Sequence, residues 1–352
     1  MSWVFLAGDK VYKLKKPVRF PYLDFSTLER REAACAAEVQ LNKRLASDVY
    51  LGVKPLVVTD SGLSIGGEGA IADWLVVMRR LDERHSLEHV LLNSQLTHVQ
   101  LGRLIARLVT FYRSAKRVYT SVSAQRDQWR HSLDLNRRIL LDPRLGMPVA
   151  QVRRIDRSQQ LFLGHCADLI AQRARKRRIL DAHGDLRPEH IWLTDGIKII
   201  DCLEFNASLR AIDPFDEIAY LGVECERLGA PWVAEICYRG LARGLHDEPP
   251  HELYLFYRCH RAALRARLAI AHLLEPNPRT PEKWPVTARA YLDIAARDAG
   301  RLELLIRRPS VRSGAGPLAS KQGRTQRAAR PAKRRPSLAP PPAGGGMAAP
   351  RR

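Results

Sequence analysis

The residues able to do chemistry concentrate between Ala182 and Asn206, in the run AHGDLRPEHIWLTDGIKIIDCLEFN. Asp185 lies near its start, Asp201 and Glu204 near its end, and His183 and His190 stand in the first half. Ile191-Trp192-Leu193 and Lys198-Ile199-Ile200 are short apolar runs of β-forming type, separated by the turn signal Thr194-Asp195-Gly196. The pattern predicts a hairpin. A hairpin brings the residues before its first strand beside those after its second, so Asp185 and Asp201 are expected to be neighbours. Two adjacent carboxylates are costly unless a metal, a shared proton or a cationic substrate uses their charge.

The elements around this run must hold it in place. Residues 3–16 read as a hairpin: Trp3-Val4-Phe5-Leu6, a turn at Ala7-Gly8-Asp9-Lys10, and Val11 to Lys15, stopped by Pro17. It begins so near Met1 that an earlier strand is expected to be missing or to lie upstream. Ser26-Thr27-Leu28-Glu29 is a capping-box pattern. The helix it opens carries Leu28, Cys35, Glu38, Leu41, Asn42 and Leu45 on one stripe. Glu38 on that stripe needs a cation, because a half-buried carboxylate alone is expensive. The bland reading makes it a surface-edge residue; the sharper one pairs it with Lys13 or Lys15.

Strand-like runs at Pro55–Val58, Leu63–Ile65 and Trp74–Met78 complete a small β-rich lobe, residues 1–81. Gly66-Gly67-Glu68-Gly69 lacks a following helix at the right spacing and reads as turn chemistry rather than a phosphate loop. From about Ser86 the periodicity is helical. Leu101, Leu104, Ile105, Leu108, Phe111 and Tyr112 form one apolar face. Leu161, Phe162, His165, Leu169 and Ile170 mark another helix. Asp213-Pro214-Phe215-Asp216 opens a further one with Asp213 or Asp216 as its cap, and three more follow up to residue 306. Arg173 to Arg178 reads as a solvated helix end.

The formal charge of +21 is unusual, but its location explains much of it. No acidic residue follows Glu303, whereas about a dozen Lys and Arg do. Residues 307–352, rich in Pro, Gly, Ala, Ser and Arg, are expected to form a disordered basic tail able at most to bind acidic polymers weakly and non-specifically. Six scattered cysteines without a CxxC pair read as reduced, mostly buried thiols of a cytoplasmic protein. The N-terminus is not a signal peptide, and no stretch approaches the roughly 20 apolar residues of a membrane span, so no membrane role is expected.

A strand lysine, then a helix glutamate, then HGD and a hairpin-spaced Asp is the order of a kinase. The segment resembles the catalytic region of the aminoglycoside phosphotransferase and choline kinase family, within the protein-kinase-like fold. Its motifs appear here as His183-Gly184-Asp185, Ile199-Ile200-Asp201 and Asp213-Pro214-Phe215-Asp216. The WVFL, YKLKKPV, LDFSTLERR and DCLEFN elements are most similar to an uncharacterised bacterial branch of that family. The resemblance spans most of residues 3–306.

It implies an α+β bilobal fold, with a helical catalytic lobe at residues 82–306, and an ATP- and magnesium-dependent phosphotransferase acting on a hydroxyl of a small molecule. Lys13 would contact the nucleotide's phosphates and Glu38 would hold Lys13. Met78 would lie near the adenine, Asp185 would act on the acceptor hydroxyl, and Asp201 would bind magnesium. The chain departs from the family where it has His190 in place of a metal-binding Asn. Imidazole is a poor ligand for a hard cation, so either His190 acts through water, or Asp201 and Glu204 carry the metal, or turnover is lost. The last case is a pseudokinase that binds nucleotide as scaffold or regulator. A zinc or manganese hydrolase built on His183, Asp185, His190 and Asp201 is the alternative from another class; it leaves Lys13 and Glu38 unexplained.

Overall fold

The computed structural model describes residues 1–20 and 22–307. The N-terminal part is a five-stranded antiparallel sheet with one long helix. Strands β1 (Ser2–Ala7) and β2 (Lys10–Lys15) form the expected first hairpin. A small hairpin, β3 (Arg19–Phe20) and β4 (Leu23–Asp24), leads into helix α1 (Leu28–Ala46). Strands β5 (Tyr50–Thr59), β6 (Gly62–Ile65) and β7 (Ala70–Arg79) complete a sheet of order β1-β2-β7-β5-β6. The strands run longer than the apolar runs predicted, because pairing carries the ladder past Pro55 and through the polar ends.

Helix α1 starts one residue later than its capping pattern implies. Thr27, not Ser26, caps it by accepting from the Arg30 N–H. Ser26 is taken by Asp24, to which both its N–H and its hydroxyl donate. The stripe seen in the sequence is a buried face: Cys35, Glu38, Asn42 and Leu45 are all buried, Cys35 against the sheet and Leu45 in the core of the helical part. Cys35, Val39, Val49, Tyr50, Val76 and Met78 form a compact apolar core.

Helices dominate from α2 (Leu87–Leu92) onward: α3 (His98–Ser114), α4 (Val122–Leu140), α5 (Val149–His165) and α6 (Ala167–Arg175). Two differences from the sequence reading occur here. Helix α4 was not expected; its apolar residues are sparse among many charges. The single helix expected around Leu161–Ile170 is two, broken at Cys166, where the backbone leaves helical geometry. Arg173 is also no solvated residue. It is buried, with Nη2 3.1 Å from Asp213 and Nη1 2.8 Å from Asp247.

The HGD stretch follows. Strand β8 (Leu180–Asp181) pairs with β11 (Ala211–Ile212), which closes residues 182–210 into a loop stitched at its base. Inside it the predicted hairpin forms from β9 (Ile191–Trp192) and β10 (Lys198–Ile199). A short helix, α7 (Ala207–Arg210), precedes β11. Then come α8 (Pro214–Arg227), α9 (Trp232–Leu245), α10 (His251–Ala271) and α11 (Lys283–Arg307). Asp213 is the cap of α8, accepting from the Phe215 N–H at 2.9 Å. This is the two-part α+β layout expected from the sequence. No described helix is long and apolar enough to cross a membrane. The tail expected over residues 307–352 lies outside the described residues beyond Arg307.

Candidate active site

Lys13 and Lys15 stand two apart on β2, so both side chains leave the same face of the sheet, towards α1. Glu38 of α1, 1% exposed, meets both. The choice between the two lysines therefore resolves into a shared carboxylate. Lys13 Nζ lies 2.6 Å from Glu38 and 2.7 Å from Asp201 Oδ1. Lys15 bonds Glu38 and Glu204. The result is an alternating row of charges: Asp201, Lys13, Glu38, Lys15, Glu204. Burial works against the charge of Lys13, but Glu38 and Asp201 outweigh it and hold the ammonium well above its ordinary pKa. Burial likewise opposes the charge of Glu38, and the two lysines keep its pKa below the ordinary value. Glu204 is pushed up by burial, with Lys15 opposing and Glu38 assisting.

Asp201 sits at the exit of β10 in left-handed backbone, φ +60. Non-glycine residues in that region are strained and persist only where the surroundings fix them. Here the Asp201 N–H donates to the Tyr50 hydroxyl at 3.2 Å, and the next N–H, of Cys202, donates to Asn42 Oδ1 at 2.9 Å. Asn42 in turn donates to the Glu38 carbonyl. The helix that supplies Glu38 thus also fixes the loop that presents Asp201.

Asp185 is held from the other side. Gly184 has φ +87, and a Cβ there would come within 3.0 Å of Leu203 Cδ1 and 3.1 Å of Arg210 Cγ, so only glycine fits. The N–H groups of His183 and Gly184 both donate to the fully buried Glu217 carboxylate, which also accepts from the Tyr112 hydroxyl at 2.8 Å. His183 Nε2 donates to the Ile200 carbonyl at 2.8 Å, and its Nδ1 accepts the Asp185 N–H at 3.3 Å. Burial lowers the His183 pKa to about 4, so the ring is neutral at neutral pH. Asp185 Oδ1 accepts from the Tyr220 hydroxyl at 3.1 Å and lies 3.1 Å from Arg187 Nε. Oδ2 is nearest His190, at 3.7 Å, and is the oxygen left for an incoming hydroxyl. Burial opposes the Asp185 charge, but His190, Arg187 and His183 hold its pKa below the ordinary carboxylate value.

His190 bridges the two aspartates. Its Nδ1 donates to the Asp185 carbonyl at 2.9 Å, which leaves the Nε2 lone pair facing Arg187 Nη2 at 3.2 Å and Asp201 Oδ2 at 3.8 Å. Among the described residues no three His, Cys, Asp or Glu side chains converge as a ready-made metal cage. Magnesium does not need one. It commonly takes one or two carboxylates and fills its remaining positions with water and substrate phosphate. Asp201 Oδ2, clear of Lys13, fits that role. Glu204 is engaged by Lys15, and the His190 nitrogen is a second-choice donor for so hard an ion. His183 has both ring nitrogens committed and is 1% exposed, which removes the four-ligand zinc or manganese arrangement from consideration.

Met78 lies near the end of β7, opposite Val11 and Tyr50, with its side chain in the sheet–helix core. Sequence reasoning did not find Glu217, Tyr220, Arg187 or Tyr50. Arg187 lies inside the motif and could have been singled out by its position two residues after Asp185. Glu217, Tyr220 and Tyr50 are distant in sequence and carry no local signal.

No protein-family model matches the chain. Uncharacterised proteins of Mycobacterium tuberculosis and Mycobacterium bovis are similar to it, each 32% identical over 281 residues, which is 78% of this chain and 54% of theirs. The chain therefore spans about half the length of the curated relatives it matches. Among solved structures, an ethanolamine kinase of Plasmodium vivax is similar with a TM-score of 0.43 and 12% identity, over 81% of this chain and 75% of that one. That likeness is distant and bears on neither activity nor substrate.

Proposed function

We propose that this chain is a small-molecule phosphotransferase of the aminoglycoside phosphotransferase and choline kinase type, moving the γ-phosphate of ATP to a hydroxyl. The observation that carries the reading is the meeting of Lys13, Glu38 and Asp201 at 2.6 and 2.7 Å beside the loop of Asp185. Three segments far apart in sequence have no structural need to converge there. Phosphoryl transfer needs little more than positioning and charge neutralisation, and this set supplies both.

In this reading residues 1–81 hold the nucleotide and the helical part that follows holds the acceptor. Lys13 exchanges Asp201 for phosphate oxygens while keeping Glu38. Met78 lies behind the adenine. Asp201, with His190 at its edge, holds magnesium, which when bound neutralises phosphate charge. Asp185 Oδ2 takes the proton as the acceptor oxygen bonds to phosphorus and the bridging oxygen leaves. Tyr220 and Arg187 fix the other carboxylate oxygen, so the base cannot rotate away.

The first test is a thermal shift with ATP and magnesium or manganese, with Lys13→Met as control. A shift in the parent that is absent in the variant is expected; no shift in the parent sinks the reading. A second reading, nucleotide binding without turnover, is favoured by one observation: the imidazole of His190 where a magnesium ligand should offer oxygen. Binding with neither transfer nor hydrolysis, unchanged by Asp185→Asn, would select it.

A further inference from the structure

His190 is buried, and the partners of its two ring nitrogens settle its tautomer. Nδ1 lies 2.9 Å from the Asp185 carbonyl, which can only accept, so this nitrogen carries the proton. Nε2 lies 3.2 Å from Arg187 Nη2, which can only donate, so this nitrogen carries the lone pair. The ring leaves a short turn, Pro188–His190, whose proline restricts the backbone. An imidazole anchored through one N–H to a backbone carbonyl, with its other nitrogen bare, has the arrangement found in metal-bound histidines.

The lone pair faces a matching oxygen. Asp201 Oδ2 is 3.8 Å from Nε2. Lys13 bonds Oδ1 and leaves Oδ2 without a partner among the described residues. Two bonds of about 2.1 Å put the donors of one six-coordinate ion roughly 3.0 to 4.2 Å apart, and the pair lies inside that span. A second carboxylate oxygen is not at hand: Glu204 is bonded to Lys15, and Asp185 Oδ1 to Tyr220. The donor next to Asp201 Oδ2 is therefore a nitrogen.

We propose that His190 Nε2 is a metal ligand and that, paired with Asp201 Oδ2, it makes this chain select a first-row transition divalent cation over magnesium. The proposal rests on the phosphotransferase reading for the nucleotide phosphates that complete the ion's shell, but not for the pair of donors itself. Magnesium strongly prefers oxygen, whereas imidazole suits transition ions, among which manganese binds most weakly and is the most demanding probe. To free Nε2, Arg187 gives up one contact and keeps Glu189, 2.6 Å from its Nη1. The imidazole is then a device for choosing the ion, not a sign of lost turnover.

The test uses the full-length protein, manganese and an ATP analogue that cannot transfer phosphate. Pulsed electron paramagnetic resonance of the bound manganese should show coupling to a directly bound nitrogen. Labelling histidine alone with the heavy nitrogen isotope should change that coupling, which needs no mutation and separates protein nitrogen from adenine nitrogen. Titration calorimetry should show manganese binding tighter than magnesium. His190→Asn, which offers an amide oxygen instead, should lower the manganese-to-magnesium affinity ratio at least about tenfold. Bound manganese without histidine coupling, an unchanged ratio in folded His190→Asn, or no bound manganese at all overturns the proposal. The spectra are also recorded without the analogue. Histidine coupling in protein that binds no nucleotide sinks the phosphotransferase reading alone. Nucleotide and manganese bound without that coupling sink this inference alone.

Discussion

Two buried charge lattices hold this protein together, and they are built differently. In the sheet region the cations are lysines: Lys13 and Lys15 share Glu38 and reach out to Asp201 and Glu204. In the helical region they are arginines. Arg261 grips Asp216 with two nitrogens at 2.7 and 2.6 Å, and Arg173 bonds both Asp213 and Asp247. The arginine pairs are closed: both Asp216 and Asp213 are nearly sealed from solvent. The lysine row is open at one end, where the Asp201 side chain is 36% exposed on strained backbone. A point charge on a flexible stem changes partners easily, whereas a bidentate fork does not. The helical lattice is scaffold, and the lysine row is the part fit to take up and release a ligand.

The comparison can be broken in order of effect. Asp185→Ala touches neither lattice. It should cut phosphate transfer by about 10³-fold, within the usual range for a positioned base, with an unchanged melting temperature; parallel loss of fold and activity would place Asp185 in the scaffold instead. Arg261→Ala leaves Asp216 buried without its cation, and urea unfolding should show a loss of about 3–5 kcal/mol.

The next effect is a pH dependence. The His183 pKa falls from an ordinary 6.5 to about 4 in the folded protein. A depressed pKa means that the unfolded chain takes the proton first. The stability His183 protects is therefore complete above pH 6.5 and drains as pH falls towards 4, by roughly 3 kcal/mol. Urea midpoints across that range should flatten in His183→Gln if this ring is the cause. The smallest effect is Lys15→Met. Glu38 keeps Lys13 and is not left without a cation, so the cost should be about 1–2 kcal/mol, below that of a closed arginine pair. A loss as large as that of Arg261→Ala would erase the distinction between the lattices.

Much of the lysine row is legible in the sequence, because its members lie on regular elements. Alternation on β2 puts Lys13 and Lys15 on one face, and helical spacing puts Glu38 on a buried stripe. A hairpin signal of three residues, Thr194-Asp195-Gly196, brings Asp201 back towards Asp185. What could not be read is the support from across the fold. Glu217 reads as one more polar residue in the first turn of a helix, yet it is the acceptor that shapes the HGD turn. Tyr50 looks like a strand aromatic, yet its hydroxyl receives the Asp201 N–H. Such roles depend on which elements pack together, and no local period records that. Arg173 failed for the opposite reason: a run of like charges reads as solvent-facing, although one member turns inward to two aspartates.

The double claim on Glu38 has a consequence for how this chain tolerates change. With Lys15 permanently resident, Glu38 is never left as a naked charge when Lys13 turns to another partner. Lys13 can therefore be replaced without unfolding the protein, although it would lie at the centre of the chemistry. In a library sorted separately for folded yield and for activity, Lys13 would stand with Asp185 among the positions where the two rankings diverge. Such divergence marks a residue retained for what it does rather than for what it holds up.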